Sequence, residues 1–172
     1  MEAERLIEAG RRALAESRGA LGVMAEAWQA QALARTVGSR LVLSGPVELR
    51  GEARGLSEAG GRGGSALDHP MVPAGATRAS QLTEVTDVRK SLTALVVLLG
   101  EVGIALVGVA CDTDEEGLYW QCIEAIDAAD ESVDRVHGML RRLAEREAER
   151  ERESDGPFGV LHGPAGSATG PP

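Results

Sequence analysis

Aromatic residues are nearly missing from this 172-residue chain, which has only Trp28, Tyr119, Trp120 and Phe158. β-Sandwiches and barrels fill their strands with aromatic and β-branched side chains, so this scarcity argues against both. Lysine is scarcer still: Lys90 stands alone beside seventeen Arg, a bias that reads as a GC-rich coding sequence and removes most lysine chemistry. Histidine is limited to His69, His137 and His162. A di-iron carboxylate bundle needs two Glu-x-x-His motifs on facing helices. The nearest approach is Asp134-x-x-His137, with no second half-site, so no metal or cofactor is expected. Cys111 and Cys122 are the only cysteines, and their spacing fits no zinc pattern. The first fifteen residues are charged throughout and lack the apolar stretch of a leader. That reads as a cytoplasmic protein whose two thiols are reduced and behave as small hydrophobes.

Positive charge is in deficit as well. Eighteen basic against 27 acidic residues leave a net charge of −9. An acidic chain without aromatics is poor material for nucleic-acid binding. Apolar residues still make up 43%, enough to build a core.

The pattern that remains is helical. Residues 2–17 and 20–43 carry apolar side chains at three- and four-residue spacing, with Gly19 between them. Ser44-Gly45-Pro46 stops the second helix, and Pro46 suits the first turn of another. Residues 46–67 leave two readings open. Leu49, Leu56 and Leu67 suggest helix, and Gly51, Gly55, Ala59 and Gly63 would then form a smooth groove for a neighbouring backbone. Six glycines between 51 and 64, however, cost about 1 kcal/mol each relative to Ala. The helix could instead end near Glu58, with residues 60–64 as a loop. Residues 68–77 contain two Pro and read as a linker. A long helix is expected over 78–111, and Thr113 with Glu116 reads as a capping box opening a last helix over 114–152. The stretch 144–153 is a mixed-charge extension, and 154–172 reads as a disordered Gly/Pro-rich tail. The expectation is an all-α antiparallel bundle of four to five helices over 1–143, with 78–111 as its core element against 114–143 and 20–43.

Nineteen residues, 92–110, hold eleven Leu, Val or Ile and one charge, Glu101. On a wheel, Thr83, Asp87, Lys90, Ala94, Glu101, Ala105, Gly108 and Asp112 share one face against a broad apolar face, with Val97 the main exception. A small or polar strip along the whole length fits the central helix of a soluble bundle better than a lipid-exposed span. Membrane association through 92–110 is the alternative.

Catalytic constellations do not emerge. Ser65, Asp68 and His69 fall within five positions, whereas triad members come from separated segments. The glycines at 60–64 match neither a dinucleotide fingerprint nor a P-loop. Lys90 lies on the polar strip, not in an apolar pocket. A small helical enzyme using Ser65 or Glu101 is a further alternative. One charge pattern does rise above the rest. Residues 112–134 hold nine acidic residues and no basic one. Glu124, Asp127, Glu131 and Asp134 form one stripe, with Trp120 at its head and Tyr119 toward the apolar face. That pattern suits an acidic docking face for a basic protein partner, although the two rings could instead close one end of the bundle.

Four segments carry a resemblance: Glu-Ala-Trp-Gln-Ala-Gln-Ala-Leu at 26–33, Glu-Leu-Arg-Gly-Glu-Ala-Arg-Gly-Leu-Ser-Glu-Ala-Gly at 48–60, Leu-Gly-Glu-Val-Gly-Ile-Ala-Leu-Val-Gly-Val-Ala-Cys at 99–111 and Glu-Glu-Gly-Leu-Tyr-Trp-Gln-Cys-Ile-Glu-Ala-Ile-Asp-Ala-Ala-Asp at 115–130. Over residues 3–143 the chain resembles an uncharacterised actinobacterial family. The resemblance implies a small, soluble, mostly helical protein and supplies no catalytic residues. The functional expectation is a non-enzymatic cytoplasmic interaction or regulatory module, with a homo-oligomer also in view.

Overall fold

The computed structural model describes residues 1–67 and 77–156. The linker at 68–76 and the tail at 157–172 lie outside the described residues, as do Asp68, His69 and His162. The described chain forms α1 (Ala3–Glu16), α2 (Gly19–Ser44), α3 (Arg50–Ala66), α4 (Val88–Asp112) and α5 (Glu116–Ser154), with short 3-10 turns at Val47–Leu49 and Arg78–Gln81. α2, α3, α5 and α4 form a ring in which each packs on the next and α4 closes on α2. α1 lies outside the ring, against α4 and α2.

Ion pairs fix the directions. Lys90–Glu4 and Arg11–Glu101, both 2.6 Å, place α1 parallel to α4. Arg89–Glu147 at 2.8 Å places α5 antiparallel to α4. The pairs Glu48–Arg146 and Arg62–Glu131 place α3 antiparallel to α5. The core is aliphatic, as the lack of aromatics requires: Leu33, Leu41, Leu56, Leu92, Leu95, Leu99 and Leu106 are fully buried.

Residues 46–67 are helical after all. The cost of the glycines is offset where α3 meets α2. A Cβ on Gly38 would stand 2.6 Å from the Ala53 carbonyl oxygen and the Ser57 amide nitrogen. A Cβ on Gly60 would stand 2.7 Å from the Arg35 nitrogen and the Gln31 oxygen. Two backbones therefore touch at two places where only glycine fits. The expected stripe of Gly51, Gly55, Ala59 and Gly63 works differently. Gly55 and Gly63 admit the side chains of Arg135 and Gln31, whereas Gly51 faces open space.

The helix expected over 78–111 begins ten residues later. The Arg78–Gln81 turn is capped by the Thr77 hydroxyl, which accepts from the Ser80 amide at 3.2 Å. The chain then runs extended, with Leu82 buried and Glu84 bridged to Glu2. α4 starts where the Asp87 carboxylate accepts from the Lys90 amide at 2.9 Å. A side-chain cap of this kind satisfies a backbone N–H that the first helical turn leaves unpaired. At the far end, Thr113 accepts from the Glu115 amide at 3.1 Å, one residue short of a capping box. α5 opens at Glu116 without a side-chain cap.

Gly38→Ala should therefore destabilise the protein by about 1–3 kcal/mol, because overpacking against backbone outweighs the gain in helix propensity. Gly51→Ala, which meets nothing, should stabilise by up to about 1 kcal/mol. Urea unfolding midpoints of the two variants check this.

Candidate interaction face

The residues singled out on α5 share one stripe, and the structure sorts them into two groups. Trp120, Glu124, Asp127 and Asp134 are exposed, whereas Glu131 is half-buried. Arg62 of α3 pairs with Glu131. Arg135, one turn further along α5, also reaches Glu131, at 3.4 Å. Arg135 then continues to Glu52 of α3 at 3.2 Å, its side chain lying in the space left by Gly55. The Arg62 hydrogen bond, ahead of the charges of Arg62 and Arg135, holds the Glu131 carboxyl below the usual glutamate range. Its bonds to Glu52 and Glu131 raise the Arg135 guanidinium in turn. Glu131 therefore serves the α3–α5 contact and is not free for a partner.

Glu124 and Asp127 have no ion pair among the described residues. They form the α5 wall of an open groove of about 1000 Å³, with Arg35, Glu58, Arg62 and Ser65 opposite. The groove is thus mixed in charge, with its unpaired carboxylates concentrated on α5. At the start of the stripe, Trp120 is 55% exposed, and Tyr119 meets it edge to face with ring centroids 5.4 Å apart. The two rings stand in solvent and do not close the bundle end. The sequence reading missed Arg62 and Arg135. Their signal was present as arginines in an otherwise glycine-rich helix and one turn after Glu131.

The remaining candidates have ordinary structural partners. Ser65 donates to the Gly61 carbonyl at 3.0 Å. Lys90 is bound by Glu4, which raises its ammonium group through hydrogen bond and charge. Glu101 is bound by two nitrogens of Arg11, at 2.6 and 3.0 Å. Cys122 is buried, and burial pushes its thiol up, whereas Cys111 is exposed and not the buried hydrophobe expected. Asp134 and His137 are both exposed on α5. Among the described residues no group of three or more His, Cys, Asp and Glu side chains is placed to hold a metal ion. α4 is long and apolar enough to cross a bilayer, with a mean hydropathy of 2.4 in its most apolar window, 44% of which is buried.

Fold and face together define an all-α bundle, with α1 parallel to α4, and an open groove of mixed charge beside α5. The chain belongs to a family of unknown function, DUF6099, whose model matches residues 1–142. No curated protein and no solved structure matches it.

The stabilisation from Glu131 is fully present above the ordinary glutamate value of 4.5 and is lost as pH falls through its own lower value. Glu131→Gln should lower the urea midpoint at neutral pH. It should also shrink the loss of stability between about pH 7 and pH 3 relative to wild type. Parallel urea titrations at the two pH values check this.

Proposed function

We propose that the protein is a non-enzymatic interaction module that docks a basic partner segment on the α5 face headed by Trp120. The observation that carries this reading is the pairing of a half-exposed indole with two exposed carboxylates, Glu124 and Asp127, that have no ion pair among the described residues. Trp, with Tyr and Arg, is enriched among binding hot spots. Carboxylates beside it would steer and orient Lys or Arg side chains of a partner. Glu131 is committed to Arg62 and Arg135 and acts as scaffold. Asp134 lies further along the stripe and adds only long-range field. The groove beside Glu124 and Asp127 gives an extended peptide somewhere to lie.

Affinity purification of the full chain from its native cell identifies the partner, and titration calorimetry then measures the complex. Trp120→Ala should weaken binding about 30-fold or more, as for a hot-spot anchor. Glu124→Lys with Asp127→Lys should abolish binding, and affinity of the wild type should fall with added salt. Helicity should stay unchanged in both variants. A partner bound equally well by both would contradict the reading.

A further inference from the structure

A second groove, of about 660 Å³, lies between α2, α3 and the segment 77–82. That volume suits a small molecule. Its charge distinguishes it from the groove beside α5. Arg35 and Arg40 line it, and among the described residues no carboxylate does. Neither arginine forms an ion pair among the described residues. The acidic residues of α2 and α3 do not compensate them here. Glu26 is bound by Arg78 at 2.6 Å, and Glu58 lines the α5 groove but not this one. In a chain of net charge −9, a concave surface with two positive charges and no negative one draws an anion.

The hydrogen-bond donors narrow the chemistry. One Nη of Arg40 donates to the Leu82 carbonyl at 3.3 Å, which holds the guanidinium across one end of the groove. Its other N–H groups have no partner among the described residues. The Arg35 stem runs along α3, with Cδ 3.8 Å from where a Cβ on Gly61 would stand. Its guanidinium makes no hydrogen bond among the described residues. The hydroxyls are already spent: Thr36, Ser65 and Ser80 each give their proton to a backbone carbonyl, at 2.9, 3.0 and 2.7 Å. The two guanidiniums are therefore the donors that remain, and their planar forks match phosphate oxygens. The other end of the groove is apolar. Trp28, Ala32, Thr36 and Arg40 follow at four-residue steps, so they form one row along α2 with the half-buried indole at its start. Arg35 stands about 10 Å and Arg40 about 18 Å from Trp28 along the helix axis. A compact anion reaches only the arginine end, whereas an elongated one with a ring also reaches the indole.

We propose that this groove binds a small phosphorylated molecule carrying an aromatic ring, with the ring on Trp28 and the phosphates on Arg35 and Arg40. The proposal does not depend on the α5 reading. Arg35 borders both grooves, but Arg40 lines this one and not the other.

ADP and inorganic pyrophosphate are the probes, titrated into the full chain by calorimetry. ADP should bind with a submillimolar Kd. Pyrophosphate, which lacks the ring, should bind about tenfold more weakly or worse, because stacking on an aromatic side chain is lost. Arg40→Gln should weaken ADP about tenfold or more, as expected for the loss of a charge-assisted hydrogen bond. Arg54→Gln removes the same charge from an exposed position of α3 outside the groove and should leave the affinity unchanged. Trp120→Phe makes Trp28 the sole tryptophan, so saturable quenching by ADP in that variant locates the ring. Absence of binding by both probes at millimolar concentration would overturn the proposal. So would equal affinity in wild type and Arg40→Gln, or equal weakening by Arg40→Gln and Arg54→Gln, which would indicate attraction to the general field only. Pyrophosphate binding as tight as that of ADP, or ADP binding that leaves Trp28 fluorescence unchanged, would refute the place given to the ring.

Discussion

The backbone contact between α2 and α3 is the constraint on which the rest of the molecule depends. A helix containing six glycines from 51 to 64 does not form on local propensity. It forms here because Gly38 and Gly60 let two chains approach until a single methyl at either site would strike backbone atoms. Such proximity gains dispersion along the contact without requiring the large side chains this sequence lacks. The same shortage shapes the rest of the core, where leucine and alanine fill what aromatics fill elsewhere and helices approach closely over small residues.

The position of α3 in turn makes the α5 groove. Arg62 reaches Glu131 from α3, and the Arg135 side chain lies in the gap at Gly55 on its way to Glu52. The Gln31 amide, fully buried on α2, occupies the corresponding gap at Gly63 and donates to the Ala125 carbonyl of α5 at 3.5 Å. Absent side chains on α3 thus become sockets for long side chains from both neighbours. These contacts neutralise one member of the acidic stripe and leave Glu124 and Asp127 open. A stripe that is uniform on a helical wheel becomes one scaffold residue and three surface residues once its neighbour is present.

Much of the fold was legible in the sequence, and the exceptions have physical reasons. Helical periodicity placed α1, α2 and α5 within a residue or two, because that signal is local and repeated. The start of α4 was misplaced because Val85 and Val88 continue an apolar register through an extended segment. The Asp87 cap and the β-branched run before it were the better guide. Residues 46–67 could not be decided, since what stabilises that helix is a close approach to α2 that needs glycine on both helices, at Gly38 and Gly60. Of the face, the α5 residues themselves were visible. Arg62 and Arg135 were not, because their pairing spans separate elements. The wheel of α4 named Val97 as an exception but not Ile104 and Val107, which are also exposed. Two members of its polar strip, Lys90 and Glu101, meet α1 through Glu4 and Arg11, whereas Thr83, Asp87, Gly108 and Asp112 are exposed.

What the account claims most centrally is that tertiary contact holds α3 helical. Native-state amide hydrogen exchange tests this directly, because it reports the opening free energy of each N–H. The Ala53, Leu56, Ser57 and Ala59 amides should exchange only through global unfolding, with the same opening free energy as the buried leucines of α4. Exchange of these amides near free-peptide rates while α4 remains protected would contradict the account. It would mean that α3 is a loosely attached segment and that the groove has no fixed second wall.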